Sequence, residues 1–412
     1  MIDIQTHTLD NGLRIVHNKD ATTQMVALNI LYDVGSRDES PERTGLAHLF
    51  EHLMFGGSAN IPDFDKALQA AGGESNAWTS DDITNYYDII PAHNLETAFW
   101  LESDRMKELA FSAKSLETQR SVVMEEFKQR CLNMPYGDVN HIIRSEAYKY
   151  HSYRWPVIGL DLSHIENVSA AEVKDFFYSH YAPDNAVLSV SGNVDFETVV
   201  HLSEKWFGDI ERRNIAPRNL PQEPVQSEAR KTSVKRDVPQ NKIIKAYHMC
   251  ARKDDSYHAC DLISDILSNG NSSRFYRNIL MRGNLFTDID ASINGSIDPG
   301  LMIVRGRLQP GVSFDAADKA IQNEIRRLCE DPVSSFEIEK CVNKFESKEL
   351  FGNISYPEKA SNMAYYELLG DAGMINNEVG NYRKLTDSDI KDAAKNVFRD
   401  DNCSTIFYGP DA

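Results

Sequence analysis

Cysteine is scarce in this sequence: six among 412 residues, at 131, 250, 260, 329, 341 and 403, none in a Cys-x-x-Cys pair. Scattered cysteines of this kind read as buried thiols in a reducing compartment rather than as a disulfide frame, so a cytoplasmic location is expected. No apolar run approaches the roughly 20 residues of a membrane span. The N-terminal MIDIQTHTLDNGLRIVHNKD has no basic segment leading into an apolar core, so no secretory signal is expected there. Positive charge is also short: Lys plus Arg is 44 against 62 for Asp plus Glu, a formal net charge of −18. That balance argues against nucleic acid and anionic membrane surfaces as partners, and it is compatible with a wall that attracts basic peptides. What is present is a globular composition, 41% hydrophobic and 26% charged. The chain is too long for one ordinary core and suits about two to four domain-sized units.

The chemistry concentrates in Gly45-Leu-Ala-His48-Leu-Phe-Glu51-His52-Leu-Met-Phe-Gly56-Gly57. Residues 46–55 hold no proline or glycine and are rich in Leu, Ala, Met and Phe, which predicts a helix. Thr44 is the expected N-cap, and Gly56-Gly57 the expected left-handed stop. Four residues apart on a helix, His48 and His52 share a face. Two imidazoles on one face can bind one cation in the geometry zinc prefers. Glu51 borders that face and can take a proton from water at the metal. The order His-x-x-Glu-His inverts the common zincin motif. A buried amphipathic helix that happens to carry two histidines would show the same five residues, so the rest of the chain has to decide.

A catalytic zinc site usually has three protein ligands and an open position, so a carboxylate from another element is expected. The helical run SLETQRSVVMEEFKQ, residues 115–129, offers Glu125 and Glu126. Its Arg120-Ser-Val-Val-Met-Glu125-Glu126, together with the His48–His52 helix, resembles the pitrilysin family, which includes insulin-degrading enzyme and the mitochondrial processing peptidase. The resemblance implies that Glu126, 74 residues after His52, completes the site, with Glu125 the neighbour to be told apart from it. Family members often carry a glutamate seven residues before this ligand that supports it from behind; here Gln119 stands there and can still hydrogen-bond. The stretch Gly72-Gly73-Glu74-Ser75-Asn76-Ala77-Trp78-Thr79 resembles the family's edge strand beside the zinc. That implies an extended substrate adding to Asn76 and Ala77 through main-chain hydrogen bonds, although the same residues also suit an ordinary hairpin. Tyr153-Arg-Trp-Pro-Val-Ile-Gly159 resembles a family segment that packs near the active domain.

Elsewhere, short strands are expected on both sides of the turn Asp10-Asn11-Gly12, at 25–32 and at 186–191, and residues 84–91 suit a sheet edge. Helices are expected over 64–71, 95–109, 115–131 and 170–180. A repeat organises the whole. Val168-Ser-Ala-Ala-Glu-Val-Lys-Asp175 matches Leu385-Thr-Asp-Ser-Asp-Ile-Lys-Asp392, Asp184-Asn185 matches Asp401-Asn402, and Gly192 matches Gly409, all at an offset of 217. Two homologous halves follow: an N-terminal metal-binding domain at 1–214, a proline-rich polar linker at 215–233, and a C-terminal domain at 234–412. Laying 53–57 on 266–270 puts Asp261, Ser264 and Asp265 where His48, Glu51 and His52 stand. The second half is therefore expected to hold no metal, with Asp261 and Asp265 on a solvated face. The resemblance implies an α+β fold in which each half is an antiparallel sheet covered by helices, the two forming half of a clam-shell peptidase.

In family members that work alone, a later domain supplies an arginine and, seven residues on, a tyrosine to the substrate carbonyl. Near Ser272-Ser-Arg274-Phe-Tyr276 this chain has Leu280 at the arginine position and Thr287 at the tyrosine position, with Arg282 two residues out of phase. A homologous subunit without zinc is therefore the expected partner in a heterodimer, with a homodimer as the alternative. The reading as a whole is a zinc-dependent endopeptidase acting on short or unfolded peptides in a closed chamber: Zn2+ on His48, His52 and Glu126, and Glu51 as general base. The rival is a non-catalytic structural subunit resembling the respiratory-complex core proteins, which have usually lost part of the metal motif.

Overall fold

A computed structural model describes residues 1–410. In chain order the first half forms β1 (Gln5–Thr8), β2 (Arg14–Lys19), β3 (Met25–Tyr32), α1 (Leu46–Leu53), α2 (Phe64–Ala70), β4 (Glu74–Thr79), β5 (Thr84–Pro91), α3 (Leu95–Lys107), α4 (Ala113–Phe127), α5 (Val139–Ala147), α6 (Leu162–Glu166), α7 (Ala170–His180), β6 (Ala186–Gly192) and α8 (Phe196–Phe207). Residues 211–228 carry no helix or strand. The second half forms β7 (Arg230–Arg236), β8 (Lys242–His248), α9 (Tyr257–Ser268), β9 (Phe286–Asn294), β10 (Leu301–Leu308), α10 (Phe314–Glu330), α11 (Ser335–Gly352), α12 (Tyr356–Leu369), α13 (Glu378–Arg383), α14 (Asp387–Val397) and β11 (Cys403–Pro410). None of the described helices is long and apolar enough to cross a membrane.

The duplication is visible strand by strand. One sheet runs β1-β2-β6-β3-β5-β4 and the other β7-β11-β8-β10-β9, so the second repeats the first without its outermost strand. The class is α+β as expected, but each sheet is mixed rather than antiparallel. β2 pairs parallel with β6, and β7 parallel with β11. The cause is β6 and β11 returning from a helix late in each half and inserting between strands already laid down. The repeat recurs in side-chain detail. Ser169 and Thr386 cap α7 and α14 with reciprocal capping boxes closed by Glu172 and Asp389. Asn185 donates to the carbonyl of His180, and Asn402 to that of Val397, both at 2.8 Å. Residues 84–91 do not form an edge: β5 lies between β3 and β4, and β4 is the edge strand.

The chain forms two compact units: one boundary, between Leu220 and Pro221, falls within the stretch 215–233, and each unit also takes a segment from the other half. The first contains Met1–Gln129, Trp155–Leu220 and Glu349–Asn377; the second contains Arg130–Arg154, Pro221–Lys348 and the chain from Glu378 on. In the first unit, Val26, Leu28, Ile30 and Tyr32 of β3 enter a core with α1, α3, α7 and α8. The opposite face of β3 and β6 is covered by α12, from the second half of the sequence. In the second unit, Ile243 and Tyr247 of β8 join the core with α9, α10 and α14. The other face, Ile244 and Ala246, packs with Val139 and Ile143 of α5, from the first half.

A charged cluster is sealed inside the first unit. Arg105 is 1% exposed and Glu102 and Asp88 are not exposed at all. Arg105 grips Glu102 through two nitrogens and lies over the rings of Phe64 and Tyr86 at 4.3 and 4.5 Å. Burial, reinforced by the neighbouring Glu102 carboxylate, raises the Asp88 pKa well above the ordinary carboxylate range. Burial beside Glu102 therefore favours the neutral form of Asp88.

Candidate metal centre

Helix α1 is two turns long and its start is built from outside. Its N-cap is Gly45 in the left-handed region (φ 89°), not Thr44. A Cβ on Gly45 would lie 2.9 Å from Ile165 Cδ1 and 3.0 Å from the Ile158 carbonyl oxygen, so only glycine fits this contact. The first N–H groups are satisfied by Glu39, whose two oxygens accept from Gly45 N at 2.9 Å and Ala47 N at 2.7 Å. Burial raises the Glu39 pKa well above its ordinary value, against the pull of those two N–H groups. Thr44 instead accepts from Leu160 N at 2.8 Å and shares a 2.8 Å hydrogen bond with His164 Nδ1. The Trp155 indole donates to the Ser36 carbonyl at 2.8 Å, so the residues from Trp155 to His164 brace the loop and cap ahead of α1. Gly57 (φ 97°) turns the chain away at the other end.

Leu46, Ala47, Leu49, Phe50 and Leu53 face the core, with Phe50 stacked on Tyr181 at 5.0 Å. The other side of α1 presents His48 and His52, ring centroids 5.0 Å apart and nearly perpendicular. Helix α4 packs against α1 and brings Glu126 to both. Glu126 Oε2 is 3.6 Å from His48 Nε2 and 3.6 Å from His52 Nε2. Glu125 is exposed and pairs with Lys128 at 2.6 Å. Of the two adjacent glutamates, then, Glu126 is the one aimed at the histidines. Among the described residues, His48, His52 and Glu126 form the one group of three His, Cys, Asp or Glu side chains whose ligand atoms lie within 4.8 Å of one another. Two imidazole nitrogens and one carboxylate oxygen fit the donor set of a catalytic zinc site.

Glu51 sits between the histidines in sequence, and its Oε2 accepts from Thr79 Oγ1 at 2.5 Å. The period-two alternation of β4 puts Ala77 and Thr79 on its inward face and Asn76 outward. Ala77 leans on the core. Asn76 is exposed, and its Oδ1 accepts from Ala77 N at 2.8 Å. Gln119 is half-buried on α4, two turns before Glu126. Thr79 stood in the Asn-Ala-x-Thr stretch without a role; nothing in a single sequence says which carboxylate a strand hydroxyl will meet.

Among its described residues the second unit shows no such group. Asp261 is not on a solvated face: it is half-buried on α9 and accepts from the Tyr382 hydroxyl at 2.5 Å, and Asp265 accepts from Asn269. Leu280 packs against the core of the unit. The Thr287 hydroxyl donates to the Arg307 carbonyl at 3.3 Å, and Arg274 is held by Glu337.

Comparison with known proteins agrees with this architecture. The family model described as Insulinase (Peptidase family M16) matches residues 14–159, and that described as Peptidase M16 inactive domain matches residues 167–345. The Zinc protease PqqE of Helicobacter pylori is 29% identical over 98% of this chain and 92% of its own length. An uncharacterized zinc protease, YmxG, of Bacillus subtilis is 24% identical over 89% of this chain and 88% of its own. The crystal structure of a protease from Helicobacter pylori superposes over all of both chains with a TM-score of 0.94 at 28% identity. The periplasmic protease PqqL of Escherichia coli shares the fold at a TM-score of 0.79 and 18% identity, with this chain covering 48% of it. With matching family models over more than three quarters of its length and the expected two-sheet architecture, the chain belongs to peptidase family M16, the pitrilysin or insulinase family.

Proposed function

We propose that this chain is a zinc-dependent endopeptidase that hydrolyses short or unfolded peptides inside a closed chamber, working with a homologous partner subunit. The observation that carries the reading is the convergence of His48, His52 and Glu126 around one point with Glu51 on the same helix. The names of the relatives support it. These three side chains would hold zinc, which supplies a Lewis acid that lowers the pKa of water at the site. Glu51 takes the proton of the attacking water and delivers it to the leaving amine. Thr79 fixes the Glu51 carboxylate in place for both transfers. The edge strand β4 offers main-chain groups at Asn76 and Ala77 to an extended peptide. The partner is inferred from Leu280 and Thr287, which bring no donor where family members that act alone bring an arginine and a tyrosine. PqqL, about twice as long as this chain, is compatible with a second homologous set of domains. A homodimer is the second arrangement. The structural-subunit reading is disfavoured because the metal-ligand set is whole.

The test is cleavage of a mixture of unstructured peptides by the zinc-loaded chain, followed by mass spectrometry with and without a chelator. Chelator-sensitive cleavage is expected, from the chain alone if it is self-sufficient and only after addition of the homologous subunit if it is not. Silence in both settings would remove the peptidase reading. Two variants dissect the site. Glu126→Gln should weaken metal binding by more than the roughly 10- to 100-fold that losing an outer support costs, while Glu125→Gln should leave it unchanged by titration calorimetry. Thr79→Val should lower kcat by about 10- to 100-fold at unchanged KM. Thr79→Ser should restore it, since a purely packing role for Thr79 would not be rescued by the smaller hydroxyl residue.

A further inference from the structure

All six cysteines are free thiols. The Cys250 and Cys260 sulfurs lie 3.8 Å apart and share a hydrogen bond. We propose that these two residues are a redox-active pair, a modification site that is oxidised to a disulfide by a low-molecular-weight disulfide of the glutathione type. Both belong to the second unit, so the proposal is independent of the metal centre.

The pair is set up by its surroundings. Cys250 follows β8, and Cys260 lies in the first turn of α9. The intervening turn is tied down by main-chain bonds from Asp254 N to the Ala251 carbonyl and from Tyr257 N to the Asp254 carbonyl. It is also held by Asp254 Oδ2 accepting from Ala251 N at 2.8 Å. Arg252 and His258 both hold Glu378, each at 2.9 Å. The two sulfurs are thus presented to each other by a fixed loop and need an approach of about 1.8 Å to reach bonding distance. Their environments differ in the way a two-step exchange requires. Cys250 is half-buried, while Cys260 is 1% exposed. The hydrogen bond shared with Cys260, aided by the Ser256 hydroxyl, brings the Cys250 thiol down to about 7, so Cys250 is the accessible nucleophile.

In the first step the Cys250 thiolate attacks one sulfur of the oxidant, forming a mixed disulfide and releasing one thiolate. In the second, Cys260 loses its proton and attacks the Cys250 sulfur, expelling the second thiolate. Two protein thiols and one small disulfide become one protein disulfide and two small thiols, so the protein loses two electrons and the oxidant gains them.

The experiment titrates the full chain with oxidised glutathione, then counts free thiols after denaturation and maps cross-linked peptides by mass spectrometry. The thiol count should fall from six to four, with one cross-link joining Cys250 to Cys260, and dithiothreitol should restore it. Cys260→Ser should stop at a glutathione adduct on Cys250, and Cys250→Ser should keep its five remaining thiols. Because the cross-link is read in the unaltered chain, a misfolded variant does not decide the matter. Persistence of six thiols, a bridge between other cysteines, or glutathione retained on Cys250 in the unaltered chain would each overturn the proposal.

Discussion

Replacing Glu51 by glutamine is expected to cut peptide cleavage by about 10²- to 10⁴-fold while the chain keeps its zinc. The side chains are nearly isosteric, and the amide oxygen can still accept the Thr79 hydroxyl that holds Glu51 at 2.5 Å. Position and packing on α1 are therefore retained. What is lost is the ability to take a proton and return it. The loss should fall on kcat, with KM little changed, because the step affected follows binding. Metal content by atomic spectroscopy separates the two roles open to this carboxylate: a variant that no longer retains zinc would make Glu51 a ligand. Turnover at the rate of the unaltered chain would end the general-base assignment.

The largest stability effect is expected far from any surface, at Arg105. Changing it to methionine keeps much of the volume among Phe55, Phe64 and Tyr86 but leaves Glu102 buried without its cation. Breaking a buried pair from one side costs about 3–5 kcal/mol, a large part of the about 5–15 kcal/mol that holds a typical domain folded. Urea denaturation should show it. Adding Glu102→Gln should recover part of the loss, since the uncompensated charge goes with it. A shift below about 1 kcal/mol would mean that the cluster is solvated on unfolding at no net cost. Asp88 adds a pH dependence of known sign. Its folded pKa lies above the unfolded value of 3.8. The stability it contributes is therefore present below that value and lost as the pH rises toward the folded pKa. Asp88→Asn, fixed in the neutral form, should gain on the unaltered chain as the pH rises through that window.

The metal helix was legible because its information is local: two histidines and a glutamate at helical spacing, with a glycine stop. Between Glu125 and Glu126, only a packed α4 shows which of two adjacent carboxylates turns toward α1, and it is Glu126. Local reasoning failed where a partner comes from elsewhere in the chain. The N-cap of α1 is completed by Glu39, so Thr44, the best capping residue beside the helix, is used for His164 and Leu160 instead. The parallel pairs were missed because alternation fixes which face of a strand is buried and says nothing about its neighbour. Nothing in a linear pattern reveals that Asp88, Glu102 and Arg105 meet inside. The repeat of 217 residues identified equivalent elements but not which sheet each would cover.

Helix α5 begins at Val139 and α12 at Tyr356, and the interval between them is again 217. Equivalent helices, one from each half, are lent reciprocally, each to the sheet of the other. Fusion of two copies of a swapped homodimer leaves this arrangement behind. Severed in its linker, the chain should yield two pieces that each lack a helix and regain their cores only by finding one another.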